Sequence, residues 1–278
     1  MSTSSYNGLK YSEGKLFRVN DMLVVEESLK ITINNNPFTV TMRTPGSETK
    51  LVRGLLFSEN VYTDRETDPE ISVTCENDKG FITAVNVVVP EDKIGKGFQT
   101  TRSIISVSSC GICGKSELDE VSGNSVPLNV IEKLEPEMIS NLFEQMSVAQ
   151  DLFKLSGGSH AASAFTMEGK MLCIQEDIGR HNAVDKVIGD LLLEKQLFNA
   201  KYLVVSGRIS YEIVNKCYAA GIPFLAAVSA PSSMAVELAE KLGITLLAFC
   251  RKDKFTAYSN VDNIVVNMRS VEQIEILK

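Results

Sequence analysis

Between Tyr202 and Phe249 three short apolar runs alternate with two amphipathic segments, and this alternation limits the possible folds more than any other feature of the chain. The runs Tyr202–Val205, Phe224–Val228 and Thr245–Phe249 have the length and composition of buried strands. The segments between them, Tyr211–Ala220 and Ser233–Leu242, carry apolar residues at helical spacing. A strand–helix–strand–helix–strand order of this kind predicts a parallel sheet with helices packed on it, because parallel neighbours need a crossover connection. Upstream, Ala161–Met167 and Met171–Gln175 flank the turn Glu168-Gly169-Lys170 and read as a hairpin, and a helix is expected over His181–Leu197. Met138, Leu142, Met146 and Phe153 recur near helical spacing and stop at Gly157-Gly158, which predicts a further helix with a core-facing stripe.

The first half reads differently. Strands are expected over Met22–Ile33, Phe38–Met42, Phe81–Val89 and Ser103–Val107, with one helix over Glu48–Phe57 and Ser47 as its N-cap. From Glu117 to Pro136 the composition turns polar, with Gly123, Asn124 and Pro127, as in a connection between units. The expected class is therefore α/β, with a strand-rich domain over residues 1–125 and an α/β domain over 126–278. A chain of 278 residues that is 44% hydrophobic suffices for two cores.

Bulk properties exclude several functions. Nothing approaches the roughly 20 apolar residues of a membrane helix, and Met1–Leu9 is polar and unlike a signal peptide, so a cytoplasmic protein without a membrane role is expected. A net charge of −7 argues against nucleic-acid binding. With only two histidines a His-rich metal centre is excluded, and acid–base work would rest on His160, His181 or carboxylates.

The reactive feature is Cys110 and Cys113 in Ser-Ser-Cys-Gly-Ile-Cys-Gly-Lys, a small-residue loop expected to leave both sulfurs accessible. A free thiol titrates near ~8.5, and a Cys-x-x-Cys context with a nearby cation lowers that value; Lys115 and Arg102 are the candidate cations. A structural zinc needs four ligands and this pair supplies two. A thioredoxin-type dithiol should open a helix in a βαβ unit, whereas here glycines flank the pair and a polar stretch follows. Zinc deaminase chemistry needs His-x-Glu and Pro-Cys-x-x-Cys; alanine stands two residues after each histidine, and Ser109 precedes Cys110. Cys75, Cys173, Cys217 and Cys250 are expected to be unbridged.

Ligands of open α/β sheets bind beyond the carboxyl ends of the strands. Three polar loops leave those ends: Ser206-Gly207-Arg208, Ser229-Ala230-Pro231-Ser232-Ser233, and Cys250-Arg251-Lys252-Asp253-Lys254. Small residues, a serine-capped helix start and four cations suit a phosphate-bearing ligand. His160 and His181 lie beside glycines near element starts, placed for a ligand or for capping. Asp185 and Lys186 read as a solvated helix face, and the apolar helix Ala183–Leu193 permits a homodimer.

Five ordered segments together resemble one family: residues 108–115, Gly157-Gly158-Ser159-His160-Ala161-Ala162, Glu176 to Lys186, Ser206 to Glu212, and Gly221 to Ser233. They are similar to FdhD, the sulfur-carrier accessory proteins of formate dehydrogenase, from about Arg43 to Tyr258. The resemblance implies a cytidine-deaminase-like second domain without the deaminase residues. It implies a sulfurtransferase-like carrier that accepts sulfur from a cysteine desulfurase as a persulfide and passes it to the molybdenum bis(guanine dinucleotide) cofactor destined for formate dehydrogenase. Cys110 matches the persulfide position, with Cys113 as second carrier or resolving thiol. The cofactor-contacting stretch falls on Phe249, Cys250, Arg251, Lys252, Asp253 and Lys254, which joins Arg208, and Asp253 is an acidic departure in a pyrophosphate site. No tightly held metal is expected. A cofactor chaperone that does not carry sulfur, and a zinc-binding module, are the competing readings.

Overall fold

The computed structural model describes residues 2–100 and 125–265. Strands β1 (Thr3–Ser12) and β2 (Lys15–Val24) form a separate two-stranded ribbon. Strands β3 (Glu27–Ile33), β4 (Asn36–Arg43), β5 (Glu70–Glu76) and β6 (Ile82–Val88) form a second sheet in the order β4-β3-β6-β5. Helix α1 (Glu48–Ser58) packs on this sheet, and a short helix α2 (Gly97–Thr100) follows it. Leu29, Ile31 and Ile33 alternate inward along β3 and meet Leu51, Val52 and Leu56 of α1 in one core.

The larger sheet holds β7 (His160–Phe165), β8 (Met171–Asp177), β9 (Tyr202–Val205), β10 (Phe224–Ala227), β11 (Thr245–Arg251) and β12 (Lys254–Ala257), in the order β12-β11-β10-β9-β7-β8. Strands β9, β10 and β11 run parallel, as the alternation predicts, while β7, β8 and β12 are antiparallel. Both faces are covered, which explains why the strands read as continuous apolar runs. Leu203 and Val205 face a core with α5 (Arg180–Leu193), α6 (Tyr211–Ala220) and α7 (Ser233–Leu242). Tyr202 and Val204 face the opposite core, which includes Ile139, Leu142 and Met146 of α3 (Pro136–Ala149). The expected single helix through Phe153 breaks at Gln150 into α3 and α4 (Asp151–Ser156).

Several expectations need correction. The apolar span from Met22 is not one strand: it divides between β2 and β3, because Val24 closes the ribbon while Glu27 opens the next sheet. Ser47 occupies the N-cap position of α1 in a left-handed conformation without a side-chain cap, and the Glu48 carboxylate instead accepts from Gly46 N at 2.8 Å. Ser103–Val107 lies outside the described residues. Asp185 and Lys186 are 1% and 2% exposed, not solvated. The apolar residues of α5 are covered by α1, α6 and the sheet of the same chain, so they present no face to a second copy.

Helices α1 and α5 join the two cores, and their approach is backbone to backbone. A Cβ on Gly54 would lie 1.8 Å from the Asp185 carbonyl oxygen, and one on Gly189 1.8 Å from that of Lys50, so only glycine fits either position. Buried ion pairs flank the crossing. Lys216 of α6 reaches Asp185 at 2.8 Å, Ser58 Oγ at 2.8 Å and Glu59 at 3.3 Å. Burial disfavours the ammonium, but Asp185 and Glu59 outweigh it and hold the Lys216 pKa above its ordinary value. Lys186 meets Asp177 at 2.7 Å and donates to the Thr44 carbonyl at 3.0 Å. The Asp177 carboxylate also accepts from Thr44 N and Gly179 N, and Asn182 Nδ2 donates to the Met42 carbonyl at 2.8 Å. Residues 176–186 thereby fasten the end of β4 to the larger sheet.

Candidate functional site

The carboxyl ends of β9, β10 and β11 open onto one edge, and the loops there brace one another. Ser206 Oγ accepts from Ala161 N at 2.9 Å, which ties the first loop to the start of β7. Ile209 N donates to Ala230 O, Ser232 N to Ile209 O, and Phe249 N to Ser229 O at 3.4 Å, which links all three loops. Ser232 caps α7 by accepting from Ala235 N at 3.2 Å. Helices α5, α6 and α7 all begin at this edge, so their free N–H groups and positive dipole ends converge on it.

Two arginines and a histidine gather around Gly207. A Cβ there would stand 3.3 Å from His160 Nδ1 and 3.4 Å from Arg180 Cβ and Cδ, while Arg208 follows directly and is exposed. Burial lowers the His160 pKa, the neighbouring positive charges of Arg180 and Arg208 lower it further, and Asp177 pulls the other way. His181 is buried and aims elsewhere, placing Nε2 3.1 Å from Ser210 Oγ and 3.7 Å from the Glu212 carboxylate.

The end of β11 and the turn that follows it carry backbone strain. Phe249 has φ 55° and Lys252 φ 52°, and the β11–β12 register shifts between Ala248 and Arg251. A bulky residue at positive φ costs of order 1–3 kcal/mol and is held only by its surroundings. The strain turns the Phe249 ring outward, 46% exposed, where it lies 6.4 Å from the Tyr258 ring. Phe249, Asp253, Lys254, Phe255 and Thr256 line an open depression of about 620 Å3. Arg251 and Lys252 are exposed beside it.

Cys250 is the exception within this stretch. Its side chain is 2% exposed and packs in the core behind the sheet, with burial pushing the thiol up to about 12. Cys173 is likewise raised to about 12 by burial, and Cys217 is raised further. Cys75 is exposed, and these four described cysteines are free. Thiols held protonated are poor nucleophiles, and this applies to Cys173, Cys217 and Cys250 at neutral pH. Cys110 and Cys113, with Arg102 and Lys115, lie outside the described residues. Among the described residues no group of histidines, cysteines and carboxylates could hold a metal ion, and no helix is long and apolar enough to cross a membrane.

Comparison with known proteins places this edge in a lineage. The model of the FdhD/NarQ family matches residues 24–265. The chain belongs to the FdhD/NarQ family. The match is wider than the Arg43–Tyr258 span on which the motifs lie, and it leaves out nearly all of the β1–β2 ribbon. A protein of Mycobacterium bovis named sulfur carrier protein FdhD is 43% identical over 253 residues, 88% of this chain and 92% of the relative. One of Sulfolobus acidocaldarius with the same name is 38% identical over 256 residues, 92% of this chain and 96% of the relative. A crystal structure from Desulfotalea psychrophila, provisionally described as a formate dehydrogenase accessory protein, superposes with a TM-score of 0.74 at 23% identity, covering 95% of this chain and all of that one.

Within this family fold, the sequence expectations divide. Arg208 and the loops 229–233 and 249–254 do meet at one edge. His160 joins them, and so does Arg180, which the sequence offers only as one of the charges of a helix N-terminus around His181. Tyr258 was missed. Its signal was available in the aromatic spacing, since an antiparallel return from Phe249 sets Tyr258 close to it.

Proposed function

We propose that this chain is a sulfur carrier serving formate dehydrogenase. Support comes from the two relatives of that name, which match over most of their length. The observation that carries the reading is the convergence at one sheet edge of three helix starts, the cations Arg208, Arg251, Lys252 and Lys254, and the outward-facing Phe249–Tyr258 pair. Such an edge suits a guanine dinucleotide: the dipole ends and cations favour its phosphates, and an aromatic face suits a base. Asp253, the acidic departure, then has a use, because the Watson–Crick edge of guanine offers N–H donors that a carboxylate accepts. The substrate held there is the molybdenum bis(guanine dinucleotide) cofactor.

Cys110 is the sulfur-carrying residue. Its thiolate attacks the outer sulfur of a cysteine desulfurase persulfide, forming a Cys110 persulfide and releasing the desulfurase thiolate. Attack of the Cys113 thiolate on the inner sulfur of Cys110 then gives a Cys110–Cys113 disulfide and releases hydrosulfide to the cofactor. The electron pair that reduces the transferred sulfur comes from the two cysteines, and an external thiol reductant restores them. The core cysteines take no part.

The test is intact mass after incubation with a cysteine desulfurase and cysteine. A gain of one sulfur, lost on reduction and absent from Cys110→Ala, is expected, and Cys110→Ala should abolish formate dehydrogenase activation. Normal activation by that variant would sink the assignment.

A further inference from the structure

We infer that the β1–β2 ribbon is a dimerisation arm whose face bearing Leu9, Tyr11, Leu16 and Met22 is covered by the same surface of a second copy. The inference is independent of the sulfur-carrier reading.

The ribbon is fastened at its root. Val25 N donates to the Ser2 carbonyl at 2.9 Å, and Ser2 Oγ donates to the Pro45 carbonyl at 3.0 Å. Beyond the root the two strands pair in register from Thr3–Val24 to Ser12–Lys15, and neither has a second neighbour strand among the described residues. A lone two-stranded ribbon is marginal in water, and its open edges and uncovered side chains favour pairing with another chain. Residues directly opposite one another share a face, and the faces alternate along each strand. One face therefore follows the pairs Thr3–Val24, Ser5–Met22, Leu9–Arg18 and Tyr11–Leu16. Leu9 is 64% exposed, Tyr11 71% and Leu16 66%. At its root this face adjoins α4: Thr3 and Leu155 line one cavity, and a Cβ on Gly158 would stand 3.3 Å from Val24 Cγ2. Leu155 and Phe153 of α4 are themselves exposed, so apolar surface extends from the arm onto the body. The opposite face intersperses Lys10, Lys15 and Asp21 with its apolar residues, which suits it to water.

The area decides in favour of a second copy. Taking an aromatic side chain as about 150–250 Å2, the six apolar residues of this face and of α4 expose on the order of 600–700 Å2, larger than the patches that monomers leave open and close to the ~800 Å2 per partner of a standard stable interface. A two-fold contact sets one such patch against its own copy, so a single surface supplies both sides and the assembly closes. A membrane fits less well: the turn at the tip carries Glu13, and a bilayer would leave the N–H and C=O groups of both open edges unsatisfied.

The test is the molar mass of the full chain by sedimentation equilibrium, for wild type, Leu9→Glu, Leu16→Glu and Phe17→Glu. Wild type should sediment at twice the chain mass. Leu9→Glu and Leu16→Glu should each raise the dimer dissociation constant about tenfold or more. Phe17→Glu introduces the same charge on the opposite face of the same ribbon and should leave the dimer intact. All three side chains are exposed, so unchanged melting of the monomer is expected. A dimer that resists both leucine variants, or that Phe17→Glu dissociates as strongly, overturns the inference. Monomeric wild type also overturns it. In that case flotation with phosphatidylglycerol vesicles would reassign the face to a membrane surface, and its failure would leave the face to an unlike protein.

Discussion

Asp177, Arg180, Asp185 and Lys186 lie within three turns of chain, yet they belong to two different kinds of structure. Asp177 and Lys186 are buried and ion-paired with each other, Asp185 is buried and ion-paired with Lys216 of α6, and hydrogen bonds to Thr44, just after β4, and Ser58 of α1 complete them. Arg180, a residue of the same motif, has no ion partner among the described residues and faces His160 and Arg208 instead. The contrast teaches that charge density in a motif does not announce function. Paired charges fasten the two cores together, and the unpaired ones at the sheet edge are those available to a ligand.

This division is open to direct attack. The largest expected effect lies in the seam: Lys216→Ala leaves Asp185 uncompensated and should lower stability by about 3–5 kcal/mol in urea unfolding. Restoring packing with Asp185→Leu and Lys216→Met together should recover most of that loss, and a double variant as unstable as the single one would mean that the pair contributes more than its geometry suggests. Next comes Gly189→Ala, which drives a methyl into the Lys50 carbonyl and should cost about 1–3 kcal/mol or more. At the sheet edge the pattern should reverse. Arg208→Gln is expected to alter stability by less than about 0.5 kcal/mol while weakening phosphate ligands, and a large loss of stability would place Arg208 in the seam class.

The smallest effect concerns pH. The His160 pKa is depressed in the folded chain, so the unfolded chain binds more protons between the folded and ordinary histidine values. Stability contributed by neutral His160 is therefore present above that window and falls as pH drops below about 6.5. The groups around it are Arg180 on α5, Arg208 after β9 and Asp177 at the end of β8. Comparing the melting temperatures of wild type and His160→Gln across that range should show a shallower slope in the variant, and equal slopes would remove His160 from the account.

Legibility followed the range of the interaction. Strand β9, helix α6 and helix α7 were readable to the residue, because apolar periodicity and terminal signals are local and a sheet buried on both faces gives unbroken apolar strands. The β1–β2 ribbon was missed: Tyr6, Leu9, Tyr11 and Phe17 are exposed, so no inward face imposes alternation on its sequence. Strand β12 was missed because it is four residues long and half exposed. At the site, Arg208 and the loops were legible from the rule that places ligands beyond parallel strands, whereas Arg180 was not.

By itself the sequence determined the parallel order of β9, β10 and β11, the edge at which their loops must meet, and membership of a family through five ordered motifs. Each of these follows from local pattern or linear order. Tertiary structure alone decided which charges are paired, since Asp177 finds Thr44 across 133 positions and Lys216 finds Glu59 across 157. It also decided that Gly54 and Gly189 are backbone contacts and that Cys250 turns inward while Phe249 turns out. The reason is physical: burial and pairing are set by which surfaces the packed helices exclude from water, and no local pattern encodes the partner.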